Sequence, residues 1–261
     1  MQALFQNPLA SPSVLGISCG GSLAATTMFV LGLHQTHPWS VPFAAFTGAL
    51  ATLLFVYLIA KRFGSGETTT LILTGIALST LLIALQGAIT YALRNKWQLI
   101  QTITEWEAGT TTDRSWSHVH LQLPLTLVGL FLALYYLIEL DILALGEEEA
   151  KNLGIETKKV RFRLFVSVAL LTGGAIAAVG VISFFGLVLP HLIRYLWGPA
   201  NKTLIPLCIL GGSITLMLLD LLLRLLPSHP FSIGNVSAIL GGIFFLALLL
   251  GKREEQQRAY L

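Results

Sequence analysis

Long apolar runs broken by short polar stretches set the pattern of this chain. A helix that crosses a bilayer needs about 20 mostly apolar residues. Runs of that kind predict spanning helices at 14–33, 41–60, 70–93, 119–140 and 162–182, and again at 204–226 and 233–250. A shorter apolar piece, Phe184–Trp197, contains Pro190 and predicts a short or broken helix. The residues before Pro8 are consistent with the tail of a further span. The expected fold is all-α: a polytopic membrane protein of about eight transmembrane helices plus a partial one. It reads as a single domain, 1–261.

Glycine pairs punctuate the runs at Gly20-Gly21, Gly173-Gly174, Gly211-Gly212 and Gly241-Gly242. Small residues let helix backbones approach where lipid removes any hydrophobic drive between them. Close packing is the plain reading, and a moving interface is the sharper one. A faint internal echo links Asn7-Pro8-Leu9-Ala10 before Gly16 to Leu189-Pro190-His191-Leu192 before Gly198, with the same Pro-to-Gly spacing. Internal repeats are common in transporters.

Composition agrees with the pattern. Of 261 residues 54% are hydrophobic and 11% charged, and the mean hydropathy is +0.76. Soluble domains carry about 25% charged residues, so this surface is built for lipid. The net charge of +3 forms no basic stripe that would mark a nucleic-acid partner. Cys19 and Cys208 lie in or near apolar runs and support neither a disulfide framework nor a metal site. The first residues lack a basic segment followed by an apolar core, so no cleavable signal is read there.

One charged island interrupts the apolar chain. Between Leu143 and Arg163 stand Glu147, Glu148, Glu149, Lys151, Glu156, Lys158, Lys159, Arg161 and Arg163. This segment, 143–163, must be a folded loop at a membrane surface. Lys and Arg collect on the cytoplasmic side. Lys61 and Arg62, the island, and Lys252, Arg253 and Arg258 are separated by even numbers of crossings when Phe184–Trp197 crosses. All three then lie in the cytoplasm, with the C-terminus, and Arg94–His118 lies outside.

Enzymatic constellations are lacking: no HExxH, no GxSxG and no GxxxxGK[ST] occur. If ATP drives this protein, another subunit hydrolyses it. His34, His37, His118 and His120 sit near outer helix ends, where interfacial histidines compete with a metal reading; no metal and no cofactor are expected. Asp220 and Arg224, one turn apart in a span, suit an i,i+4 pair. Charges at membrane depth mark pairing or function, so external docking by Arg224 stays open.

Several motifs in order resemble one family, the FecCD-type permease subunits of bacterial ABC importers for iron–siderophore complexes, haem and vitamin B12. They are Gln2–Pro12 with Leu15-Gly16-Ile17-Ser18, Leu73–Ser79, Leu143–Glu147 through Ala150 to Leu153-Gly154-Ile155, Phe185–Arg194, Asp220–Arg224 and Ile239-Leu240-Gly241-Gly242. The resemblance implies a ten-span fold, here lacking the first span and most of the second, as in a truncated frame or partial copy. It implies a homodimer or heterodimer of permeases, two copies of an ATP-binding subunit, and a periplasmic or lipid-anchored substrate-binding protein. It places the protein in the bacterial inner membrane.

By the same resemblance Leu145, Gly146, Glu147, Ala150, Leu153 and Gly154 form an ATPase-coupling loop, with Gly146 and Gly154 bounding its first helix. Arg224 becomes a docking residue for the binding protein. Asn7, Pro8, Trp106, Gly109, Gly186, Pro190, His191 and Arg194 become gate or structural residues. Glu107 and Thr110–Thr112 depart from the apolar pattern expected around the outer gate. The implied function is a non-enzymatic permease subunit that imports an iron chelate or a cobalamin-like substrate by alternating access. Two alternatives are a non-functional or partial permease remnant and an ABC permease for Zn or Mn ions.

Overall fold

A computed structural model describes residues 1–7, 10–64, 68–112, 114–226 and 231–258, without the side chains of 64, 68, 249 and 251–258. Pro8, Asp113 and the side chains of Lys252, Arg253 and Arg258 lie outside that description. The chain is helical, with no strand among the described residues. A 3-10 turn, Pro12–Leu15, precedes α1 (Ile17–Val30), α2 (Leu33–Thr36), α3 (Ser40–Gly64), α4 (Thr68–Ala92), α5 (Trp97–Glu107) and α6 (Trp116–Tyr135). Then come α7 (Leu137–Leu145), α8 (Glu147–Asn152), α9 (Thr157–Val179), α10 (Phe185–Trp197), α11 (Asn201–Leu225) and α12 (Ile233–Arg258).

Among the described residues five helices are long and apolar enough to cross a membrane: α3, α4, α6, α9 and α11. The expected span at 14–33 is shorter, since α1 has 14 residues; α10 has 13, the short piece expected there, and α12 runs Ile233–Arg258. The run at 119–140 is not one helix, because α6 stops at Tyr135 and α7 starts at Leu137. Tyr136, at φ −99° and ψ 27°, makes the break. It is buried, its hydroxyl accepts a hydrogen bond from Arg163 Nη1, and the Arg163 guanidinium lies 5.7 Å from its ring centroid.

The helices form two compact units, Met1–Val181 and Ile182–Leu261. In the first, α9 packs against α3 and α6, and α1 against α3. Half of the α9 span is buried, against 6% for α4 and for α6, so α9 is the unit's central post. Glycine makes these contacts. A Cβ on Gly20 would sit 2.7 Å from the Gly48 carbonyl, and one on Gly48 would sit 2.4 Å from the Gly20 carbonyl. A Cβ on Gly75 would meet the Val14 carbonyl at 2.4 Å, which gives Leu73–Ser79 its packing role beside the 3-10 turn. Ser167, buried in α9, donates to the Gly129 carbonyl of α6 at 2.7 Å. Such contacts replace the hydrophobic drive that lipid removes.

The second unit packs α10 against α11 and α12. Leu219, Leu223 and Ile233 form its core, with Phe185 against them. The glycine pairs differ here: Gly211 makes only ordinary contact with Leu189, a Cβ on Gly241 would stand 2.3 Å from Phe184 Cβ, and one on Gly242 would meet nothing. Both glycines of the internal echo close helices in the left-handed region, Gly16 at φ 74° and Gly198 at φ 91°.

Candidate functional site

Gly146 ends α7 at φ 145° and ψ 156° and sends the chain into α8. Gly154, at φ 80°, turns it back toward α9. A positive φ favours glycine because a Cβ crowds the carbonyl, so Gly146 caps the start of this short helix and Gly154 turns the chain just after its end. Glu147, Glu148 and Glu149 fill its first turn and Lys151 its last, the order the helix dipole favours. Ala150 is fully buried; its carbonyl accepts from Ile155 N at 3.0 Å.

Glu147 ties this helix down. Its Oε1 lies 2.9 Å from Lys151 Nζ and its Oε2 3.0 Å from Arg161 Nη2 on α9. The bonded Lys151 ammonium holds its carboxyl below the usual carboxylate range; burial opposes this and Arg161 adds to it. On either side Leu145 is 71% and Leu153 64% exposed. Apolar residues exposed within a charged loop do not face hydrocarbon, since Glu148, Glu149 and Lys151 beside them are exposed too. A charged rim around apolar knobs is the anatomy of a protein-docking surface.

The expected outer-gate residues lie at the end of α5. Trp106 is buried against Phe29, with centroids 6.3 Å apart. Gly109, at φ 71°, reverses the chain, and Thr110 N then donates to Val179 O at 2.8 Å. Gly180 lies so close that a Cβ would stand 2.3 Å from the Trp106 carbonyl. The end of α5 is thereby fixed to the end of α9. Asn7 is far along the chain from both and accepts from Ala10 N at 3.0 Å through its carbonyl.

Glu107, which the sequence marks only as a departure, opens into a cavity of about 680 Å³ lined from α1, α4 and α5. Its Oε1 accepts from Ser22 Oγ at 3.1 Å and Thr26 Oγ1 at 3.3 Å. Gln86 Nε2 in turn reaches those hydroxyls at 3.3 and 3.4 Å. Burial pushes the Glu107 carboxyl up, and the two hydroxyl donors pull it back. The signal available beforehand was Ser22 and Thr26 at i,i+4 with Gln86 inside an apolar run. Polar residues in such runs face a bundle interior or a cavity.

In the second unit Gly186, Pro190, His191 and Arg194 share α10. Pro190 has no N–H, so the Gly186 carbonyl loses its intrahelical donor. A Cβ on Gly186 would meet nothing within 4 Å. His191 stacks edge-on to Phe244 with centroids 6.1 Å apart. Arg194 Nη2 is buried with no hydrogen-bond partner among the described residues. Arg224 Nε pairs with Asp220 Oδ2 at 2.8 Å while remaining exposed. Pro8 lies outside the described residues.

The four histidines assemble no metal site. His34 stacks on Phe29, His120 on Trp116, and His118 caps α6 with Ser115. Among the described residues no three of His, Cys, Asp and Glu group as metal ligands.

Known proteins resemble this chain over nearly its whole length. The FecCD transport family pattern matches residues 1–251. A hemin transport system permease protein of Yersinia pestis is 36% identical over 98% of this chain and 77% of its own length. A cobalamin import system permease protein of Halobacterium salinarum is 35% identical, over 99% and 68%. An Fe(3+) dicitrate transport system permease protein of Escherichia coli is 34% identical, over 97% and 78%. A solved metal-chelate-type ABC transporter in an inward-facing conformation superposes with a TM-score of 0.88 at 26% identity, over 96% of this chain and 79% of its own.

Proposed function

The chain belongs to the FecCD transport family of ABC importer permeases, and from that premise we propose that it moves an iron chelate, haem or a cobalamin-like molecule across a bacterial inner membrane. It is a multi-pass, non-enzymatic subunit, and a separate subunit hydrolyses ATP. In this reading two ATP-binding subunits dock on the cytoplasmic face, a second permease copy, identical or different, completes the pathway, and a periplasmic or lipid-anchored protein delivers the substrate. The C-terminus is cytoplasmic.

The observation that carries this reading is α8. A short charged helix, bounded by Gly146 and Gly154 and flanked by exposed Leu145 and Leu153, suits insertion into a cleft of another protein. Glu147 bonds it to α9, the central post of its unit. Nucleotide-driven movement of the docked ATPase is thus passed to a helix that spans the unit. Alternating access requires contacts that differ between two states, and this loop supplies them from outside the membrane. The gate on the other side is the α5–α9 clasp of Trp106, Gly109 and Gly180. Asn7 and Pro8 in the first unit, and Gly186, Pro190, His191 and Arg194 in the second, take gate or structural roles within their own units. Arg224, paired yet exposed, meets the binding protein.

The test is to replace 146–154 with a flexible Gly/Ser linker of equal length. The permease should stay folded in the membrane but lose ATPase association and ATP-driven uptake. Intact association and uptake would refute the coupling role. No observation favours the alternatives of a remnant or a Zn/Mn permease.

A further inference from the structure

The cavity beside Glu107 has a chemical sign. Ser18, Cys19 and Ser22 on one face of α1 oppose Gln86 and Thr90 on α4, and Glu107 closes the end. Among the described residues Glu107 is its one carboxylic acid, and no Lys, Arg or His lines it. Arg94 lies 5.0 Å over the ring of the lining Tyr91, and among the described residues no ion pair involves Glu107. Both hydroxyl donors go to Oε1; among the described residues Oε2 has no hydrogen-bond partner. Oε2 keeps accessible surface and so faces whatever fills the cavity. The Gln86 amide holds the Ser22 and Thr26 oxygens, which directs their hydroxyl hydrogens toward the carboxylate.

We infer that Glu107 is a recognition carboxylate whose free oxygen binds an ammonium, hydroxyl or amide donor on the passing chelate. The cavity therefore prefers neutral or cationic donor-bearing chelates over polycarboxylate ones, which within the proposed range favours a cobalamin-like molecule or a hydroxamate chelate over haem with its two propionates. This rests on the permease reading, because a passing chelate presupposes transport. An anion entering here meets a carboxylate with no compensating cation in the lining, and charge repulsion in a partly desolvated site is stronger than in water.

Cys19, on the cavity wall, serves as a reporter in the assembled transporter in vesicles, with Cys208 replaced by Ser. A cationic and an anionic methanethiosulfonate of equal size are compared, each rate divided by its rate with a free thiol. The cationic reagent should be faster by about tenfold, the worth of one nearby charge in a half-buried site. In Glu107→Gln, an isosteric change that keeps both hydroxyl bonds, the ratio should fall to near one. A ferric trihydroxamate with a free ammonium should slow the labelling of wild type but not of E107Q, and ferric citrate should slow neither. An unchanged ratio in E107Q, equal protection by both chelates, or no labelling by either reagent overturns the inference. The labelling ratio needs no transport. A correct ratio without ATP-driven uptake therefore counts against the permease reading, and uptake with a neutral ratio counts against the role of Glu107.

Discussion

Removing the bond between Glu147 and Arg161 should uncouple α8 from α9 without unfolding either. Glu147→Gln keeps the shape and deletes the charge. It leaves Arg161, whose side chain is only 11% exposed, without its carboxylate at 3.0 Å. Breaking a fully buried pair costs about 3–5 kcal/mol, and an exposed pair is worth about 0–1 kcal/mol. Glu147 is 34% exposed, so the coupling between the two residues should be about 1–2 kcal/mol, intermediate between those limits. If α8 must be held in place to dock, that free energy appears as roughly 5- to 30-fold weaker ATPase binding. The assay is a titration of the ATPase subunit against the permease in nanodiscs, with E147Q, R161Q and the double variant. Contact of Glu147 with the ATPase would weaken binding too, but it would add independently of Arg161. The account requires a less-than-additive double variant. Additive losses, or wild-type binding in E147Q, would refute it.

Three further outcomes are expected. Gly48→Ala, which drives a Cβ to 2.4 Å from the Gly20 carbonyl, should destabilise the unit by about 1–3 kcal/mol, while Gly242→Ala, with open space around it, should not; thermal unfolding in detergent separates them. Gly186→Ala also meets nothing and gains helix propensity of up to about 1 kcal/mol, so the melting temperature should hold or rise while uptake falls; a lower melting temperature would contradict the open site. The carboxyl of Glu147 is depressed in the folded chain, so its contribution is present above the unfolded carboxylate range and lost as pH falls through the folded value. ATPase binding should therefore be flat from neutral to weakly acidic pH and weaken only below the ordinary carboxylate range, and E147Q should lack that acid limb.

Much of the fold is legible because lipid imposes it. A long apolar run has to be a helix when no water is present to satisfy its backbone. The charged loop is legible for the converse reason, and Gly146 and Gly154 mark its bounds because few other residues take those angles. The break at Tyr136 is not legible. It depends on Arg163, distant in sequence, reaching the Tyr136 ring and hydroxyl. α5 is also hidden: Gln98, Gln101, Thr102 and Glu105 make Trp97–Glu107 look like a polar outer loop, whereas Ile103 and Trp106 bury its other face. The polar cluster of Ser22, Thr26, Gln86 and Glu107 comes from three helices, and only their packing brings it together.

The central claim is that this chain carries a chelate through the membrane under the control of an ATPase docked at α8. The most direct measurement is uptake of a radiolabelled iron chelate, haem or cobalamin into proteoliposomes holding the permease, its ATPase and the binding protein, with and without ATP. ATP-dependent accumulation that disappears in the 146–154 linker variant is the predicted result. Accumulation that persists in that variant, or proceeds without ATP, would contradict it.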